Sequence, residues 1–183
     1  MKVTDEILEI FARRGAGAYF GECVTMTEHA LQAAYFAQSA GGPPALVVAA
    51  LLHDIGHLVE EVPDDIEDWV DDAHHENVGG AWLAARFPAA VYQPVRLHVP
   101  AKRYLCATDT GYLSRLSAAS VVTLKLQGGP MSAAEIARFE AQPHHRDALS
   151  VRRWDDQGKI AALATPGLRD YHELIEALAL GTP

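Results

Sequence analysis

The chain has 183 residues, 49% of them hydrophobic and 21% charged, an ordinary composition for one soluble domain with a core of its own. Its formal charge of −9 is local: segment 60–72 (EEVPDDIEDWVDD) carries eight carboxylates, and outside it 15 basic residues face 16 acidic ones. No basic stripe and no membrane-length apolar run is present, which speaks against a nucleic acid or a bilayer as partner.

No leader pattern opens the chain, and its two cysteines, Cys23 and Cys106, have no CxxC spacing. Both features point to a cytoplasmic protein with reduced thiols.

In chain order, residues 4–13 read as a short amphipathic helix stopped by Gly15-Ala16-Gly17. Thr25 and Glu28 form a Thr-x-x-Glu capping box, opening a helix to Ala40 that ends at Gly41-Gly42. Pro43-Pro44 starts the next helix, which the pattern carries to about Val59. Further helices are predicted at 65–72, 75–86, 89–104, 111–127, 132–141, 145–157 and 168–180. The stretch SVVTLKL (120–126) is β-branched enough to be ambiguous alone, and its flanks favour helix. No repeat or linker divides residues 1–183. The expectation is a single all-α domain.

The stretch LLHDIGH (51–57) sets His53, Asp54 and His57 inside one of the most apolar runs of the chain. In a helix reaching Val59, His53 and His57 share a face and Asp54 is the next side chain round. A buried carboxylate needs compensation, either from hydrogen bonds within a His-Asp pair or from a cation. Imidazole and carboxylate are the usual ligands of divalent metals. The same types recur at His29 among alanines, His75 before Gly79-Gly80, His98 after VYQPVRL, and Asp155 in RRWDDQGK. His74 competes with His75, and Asp156 with Asp155.

The order His29, His53-Asp54, His75, His98, Asp155 resembles the HD-domain superfamily of metal-dependent enzymes, whose core pattern is H…HD…D. Two added histidines mark its dinuclear members. The resemblance implies an HD-domain helical bundle with one metal on His29, His53, Asp54 and Asp155. A second metal would take Asp54 as bridge, His75 and His98. His75 and Asp155 are preferred over their neighbours because they match the family motif.

Within that superfamily the chain looks like the mixed-valent di-iron oxygenases, in particular the glycine-forming 2-amino-1-hydroxyethylphosphonate dioxygenases and their relatives. Tyr19 and Glu22 in AYFGE match that family's mobile Tyr, which covers an iron, and the Glu that accepts a substrate amine. His57, Lys102, Ser120 and Arg152 match positions that hold the phosphonate and the substrate hydroxyl.

The resemblance implies two Fe ions (Fe(II)/Fe(III)), O2 as co-substrate and a small-molecule phosphonate. Its C–P bond is cleaved to phosphate and a carboxylic acid, glycine or glycine betaine. A 2-amino- or 2-trimethylammonio-1-hydroxyethylphosphonate is the expected substrate, with Tyr19, Phe20 and Tyr35 available for cation–π contact. The substrate supplies the electrons, so no nicotinamide cofactor is expected, and no GxGxxG or P-loop is visible.

Spacing agrees in part with this assignment. Lys102 follows His98 by four, on one face if the helix survives Pro100, where a kink or end is expected. Arg152 precedes Asp155 by three, while Arg153 and Arg103 read as solvated. The alternatives are an HD phosphohydrolase using Mn, Co or Mg on a nucleotide or phosphate ester, and a non-catalytic metal-binding module contacting partners through 60–72.

Overall fold

The computed structural model describes residues 2–59 and 74–181. They form ten α-helices and short 3-10 turns, with no strand among them; Ala18 and Thr25 make one isolated β-bridge. The helices are α1 (Val3–Arg14), α2 (Met26–Ser39), α3 (Pro44–Leu51), α4 (Gly56–Val59) and α5 (His75–Ala84). After them come α6 (Ala89–Thr108), α7 (Ala118–Leu126), α8 (Ala133–Glu140), α9 (His145–Gln157) and α10 (His172–Leu178). The all-α expectation holds. No helix among the described residues is long and apolar enough to cross a membrane.

α3 is the hydrophobic centre. Leu46 to Leu51 are all buried, so the helix has no polar face, as expected of one enclosed on every side. It packs against α2, α6, α9 and α10. α2 opens with the predicted capping box: the Thr25 hydroxyl accepts from Glu28 N–H while the Glu28 carboxylate accepts from Thr25 N–H. Its buried alanines, Ala30, Ala33, Ala34 and Ala37, let α3 and α9 approach closely.

Four elements differ from the sequence expectation. The helix drawn from Pro44 to Val59 breaks over residues 52–55, where i→i+3 bonds replace the helical ladder: Ile55 N–H to Leu52 O at 3.1 Å and His57 N–H to Asp54 O at 3.1 Å. Residues 111–127 divide into a 3-10 turn, Leu113–Arg115, and α7. Residues 168–180 likewise divide into a 3-10 turn, Leu168–Tyr171, and α10.

α6, expected to kink or stop at Pro100, runs 20 residues with Pro94 and Pro100 inside it. Each proline removes one ladder donor, but packing against α5 and α9 keeps the helix whole. The helix predicted at 65–72 lies outside the described residues.

Candidate metal centre

The break after Leu51 builds the centre. His53 turns its ring back, Nδ1–H donating to Ala50 O at 2.8 Å, while Asp54 points into the same interior space from the next position. The break depends on Gly56: a Cβ there would lie 2.0 Å from the His75 carbonyl oxygen. Gly79 faces it, with the Gly56 nitrogen 3.0 Å from where its Cβ would be. Backbone-to-backbone approach of α4 and α5 therefore sets His75 beside the HD turn.

His29 comes from α2, His98 from α6 and Asp155 from α9. All six residues are 5% exposed or less.

The donor atoms fit a pair of cations. Asp54 Oδ2 lies 3.6 Å from His29 Nε2 and 3.3 Å from His53 Nε2. Asp54 Oδ1 lies 3.4 Å from His75 Nε2 and 3.4 Å from His98 Nε2. Asp155 Oδ1 joins the first set at 3.4 Å from His29 Nε2. One carboxylate thus turns each of its oxygens to a different histidine pair. Cis ligands ~2.1 Å from a first-row metal stand ~3 Å apart, close to these spacings.

Two observations require positive charge between these atoms. The His29 and His53 Nδ1–H groups donate to carbonyls, of Gly158 at 2.8 Å and Ala50 at 2.8 Å. In the neutral rings both Nε2 atoms are then bare acceptors, yet they face each other at 3.0 Å. Two lone pairs meet there unless a proton or a cation lies between them. Moreover, Asp54 Oδ2 and Asp155 Oδ1 are buried and accept no hydrogen bond, a costly state for an anion without a counter-charge.

Ionisation follows the same logic. Burial raises the Asp54 carboxyl, but the imidazoles of His53, His75 and His98 outweigh it and hold it well below the usual carboxylate range. Burial likewise opposes ionisation of Asp155, and the Arg152 guanidinium with His29 and His53 reverses that. Burial lowers His98. For His53 burial acts the same way, but the Asp54 charge prevails and raises it. The donor set is anionic carboxylate plus imidazole, without thiolate, which suits iron or manganese as well as zinc.

Around the cluster lies a cavity of about 30 Å3, lined by Tyr19, Glu22, His57, Lys102, Ser120 and Arg152 among others. A type I′ turn holds Tyr19 over it: Phe20 (φ 38) and Gly21 (φ 76) are both left-handed, and Glu22 N–H donates to Tyr19 O at 2.7 Å. For a bulky residue such as Phe20 that conformation is strained. The Tyr19 ring stacks on His29 at 3.9 Å, and burial, with the Asp54 and Asp155 charges, pushes its phenol well up. His57 stacks on His75 at 4.0 Å.

Lys102 reaches the cavity because α6 survives Pro100, and its Nζ donates to Thr123 Oγ1 at 2.8 Å. Arg152 is braced on three sides, by Asp155 Oδ2 at 2.7 Å, the Tyr112 hydroxyl at 3.0 Å, and Asp156.

The six candidate metal ligands and the six candidate substrate-binding residues therefore meet at one place, and Phe20 lines the same cavity, whereas Tyr35 does not. His74 is exposed and Asp156 faces Arg152 and Tyr112, so His75 and Asp155 are the members of the cluster. Arg153 is exposed as expected; Arg103 is not simply solvated but pairs with Glu135 at 2.7 Å.

Ser117, Thr123, Tyr112 and Lys159, none of them marked out by the sequence pattern, also stand at the site. Lys159 Nζ sits 3.3 Å from Glu22 Oε1 and donates to Ser120 Oγ at 2.8 Å. Its position four after Asp155 was the available signal.

Residues 26–98, from the start of α2 to the middle of α6, match the HD domain family. The [1-hydroxy-2-(trimethylamino)ethyl]phosphonate dioxygenase (glycine-betaine-forming) of Leisingera caerulea is 46% identical over 169 residues, 92% of this chain and 86% of that protein. The hydroxymethylphosphonate dioxygenase of Gimesia maris is 46% identical over 165 residues, 87% of this chain and 80% of that protein. An uncharacterized protein of Acanthamoeba polyphaga mimivirus is 35% identical over 179 residues, 96% of this chain and 82% of that protein. The chain belongs to the HD-domain oxygenase family that these two phosphonate dioxygenases represent.

Proposed function

We propose that this protein is a di-iron dioxygenase that cleaves the C–P bond of a 1-hydroxyalkylphosphonate, using O2, to release phosphate and a carboxylic acid. The observation that carries the reading is the Asp54 carboxylate, whose two oxygens each face a separate histidine pair, beside a cavity lined by Lys102 and Arg152. His29, His53, Asp54 and Asp155 would hold one Fe, and Asp54, His75 and His98 the other. The pair, as Fe(II)/Fe(III), would supply O2 activation.

The chain's own residues do the rest. Lys102, Ser120 and Arg152 bind the phosphonate through charge-assisted and neutral hydrogen bonds, and Tyr112 with Asp156 keeps Arg152 aimed. His57, fixed against His75, meets the substrate hydroxyl. The cavity has room for a water or two but not for a phosphonate. The Tyr19–Glu22 turn therefore moves aside to admit substrate and closes to exclude bulk water. By their names, both relatives act on hydroxyphosphonates, one with a trimethylamino tail and one with none.

The test is phosphate release from hydroxymethylphosphonate and from 2-amino-1-hydroxyethylphosphonate by iron-loaded protein, with and without O2. Release that requires O2 and consumes it supports the proposal. Release from phosphate esters under strict anaerobiosis, with no oxygen uptake on either phosphonate, would assign the site to hydrolysis.

A further inference from the structure

We infer that Lys159 occupies, from within the chain, the place a cationic substrate tail would need, so that this protein selects hydroxyphosphonates whose tail carries no positive charge. The inference rests on the function just proposed and narrows its substrate class.

A cationic tail can be recognised by a carboxylate or by an aromatic face. Besides the cluster members Asp54 and Asp155, Glu22 is the one carboxylate among the described residues lining the cavity. Lys159 Nζ lies 3.3 Å from its Oε1, with the two side chains only 12% and 14% exposed. Ser117 also donates to that oxygen. The pair is neutral as a unit, so Oε2 offers no net anion to an arriving ammonium.

The aromatic face is engaged too. One side of the Tyr19 ring is stacked on His29 at 3.9 Å, and Lys159 Nζ stands 5.7 Å from the ring centroid. Phe20 packs on His57 at 4.6 Å, and Tyr35 does not line the cavity.

Lys159 is also held against leaving. Its Nζ donates to Ser120 Oγ at 2.8 Å and reaches Ser117 Oγ at 3.4 Å, tying the Tyr19–Glu22 turn to α7. A second ammonium drawn to Glu22 would meet this charge in a poorly solvated cavity or have to break those contacts. Lys102 and Arg152 face the same cavity and suit a phosphonate dianion, while the neutral Glu22–Lys159 pair leaves nothing there to hold a cationic tail.

The decisive experiment is anaerobic calorimetric titration of the iron-loaded protein with hydroxymethylphosphonate and with 2-amino-1-hydroxyethylphosphonate, for wild type, Lys159→Met and Lys159→Arg. Wild type should bind the first at least tenfold tighter. Lys159→Met should narrow that ratio at least fivefold, chiefly by gaining affinity for the amino compound, and Lys159→Arg should preserve it.

Equal or tighter binding of the amino compound by wild type overturns the inference. So does an unchanged ratio in Lys159→Met of normal metal content; if that variant does not fold, the wild-type ratio decides. The predicted ratio without O2-dependent phosphate release removes the proposed function and leaves the tail selection standing. O2-dependent turnover with a preference for the amino compound does the reverse, and binding of neither compound removes both.

Discussion

At the scale of the residue, the centre is a set of polar atoms that the apolar core could not otherwise tolerate. The identity of those atoms was largely legible in the sequence, because titratable side chains in an apolar run stand out. Which of two neighbours faces inward was not: His74 and His75, or Asp155 and Asp156, differ only by the local turn that aims them. Glu22 shows a second limit. Read from the sequence it was an acceptor awaiting a substrate amine, whereas Lys159 lies beside it, a contact between residues 137 positions apart that no local pattern encodes.

Arg152 gives a sharp prediction at this scale. Replacing it by Met leaves the buried Asp155 without its guanidinium partner. Loss of one partner of a buried ion pair costs about 3–5 kcal/mol, so Arg152→Met should lower the urea midpoint substantially, whereas Arg153→Met, at an exposed position, should leave it within error.

At the scale of the element, helix positions followed from caps and apolar spacing, and the errors fell where packing overrode local preference. ALVVAALL reads as unbroken helix, yet it stops after Leu51, and the turn that follows presents His53 and Asp54 to the same interior space. Gly56 is the local cue, meaningful only once α5 is known to pass within contact of it. Gly56→Ala would drive a Cβ into the His75 carbonyl. Because the clash is with backbone, a loss near the top of the usual overpacking range, ~3 kcal/mol, is expected, together with reduced metal retention. Calorimetric unfolding and metal analysis of the purified variant check both.

α8 offers a pH test. Hydrogen bonds from Ser132 and the Arg103 ion pair hold the Glu135 carboxyl at about 2, below its ordinary 4.5. A carboxyl depressed in the folded state stabilises it above the unfolded value and loses that contribution as pH falls through the folded one. The melting-temperature deficit of Glu135→Gln should therefore be present at pH 7 and shrink steadily below pH ~4.5.

At the scale of the whole molecule, the order of ligand types along the chain was readable, but their convergence was not a property of any one segment. α2, the HD turn, α5, α6 and α9 each deliver one or two side chains. The same packing that buries the alanines of α2 and the apolar α3 brings them together. The fold and the centre thus stabilise each other: a bound metal pair should add about RT ln(1 + [L]/Kd) to stability, ~4 kcal/mol at a thousandfold excess over Kd. Complete chelation should accordingly lower the melting temperature by roughly 10 °C, and restored iron should bring it back.

The central claim is that one carboxylate, Asp54, joins two metal ions inside this bundle. Metal analysis of anaerobically iron-loaded wild type and Asp54→Ala, with low-temperature EPR of the partly oxidised protein, tests it directly. Two irons per wild-type chain with a mixed-valent signal, and loss of both metal and signal in folded Asp54→Ala, are the predicted result. Two irons retained by Asp54→Ala, or a wild type that takes up a single ion, would contradict it.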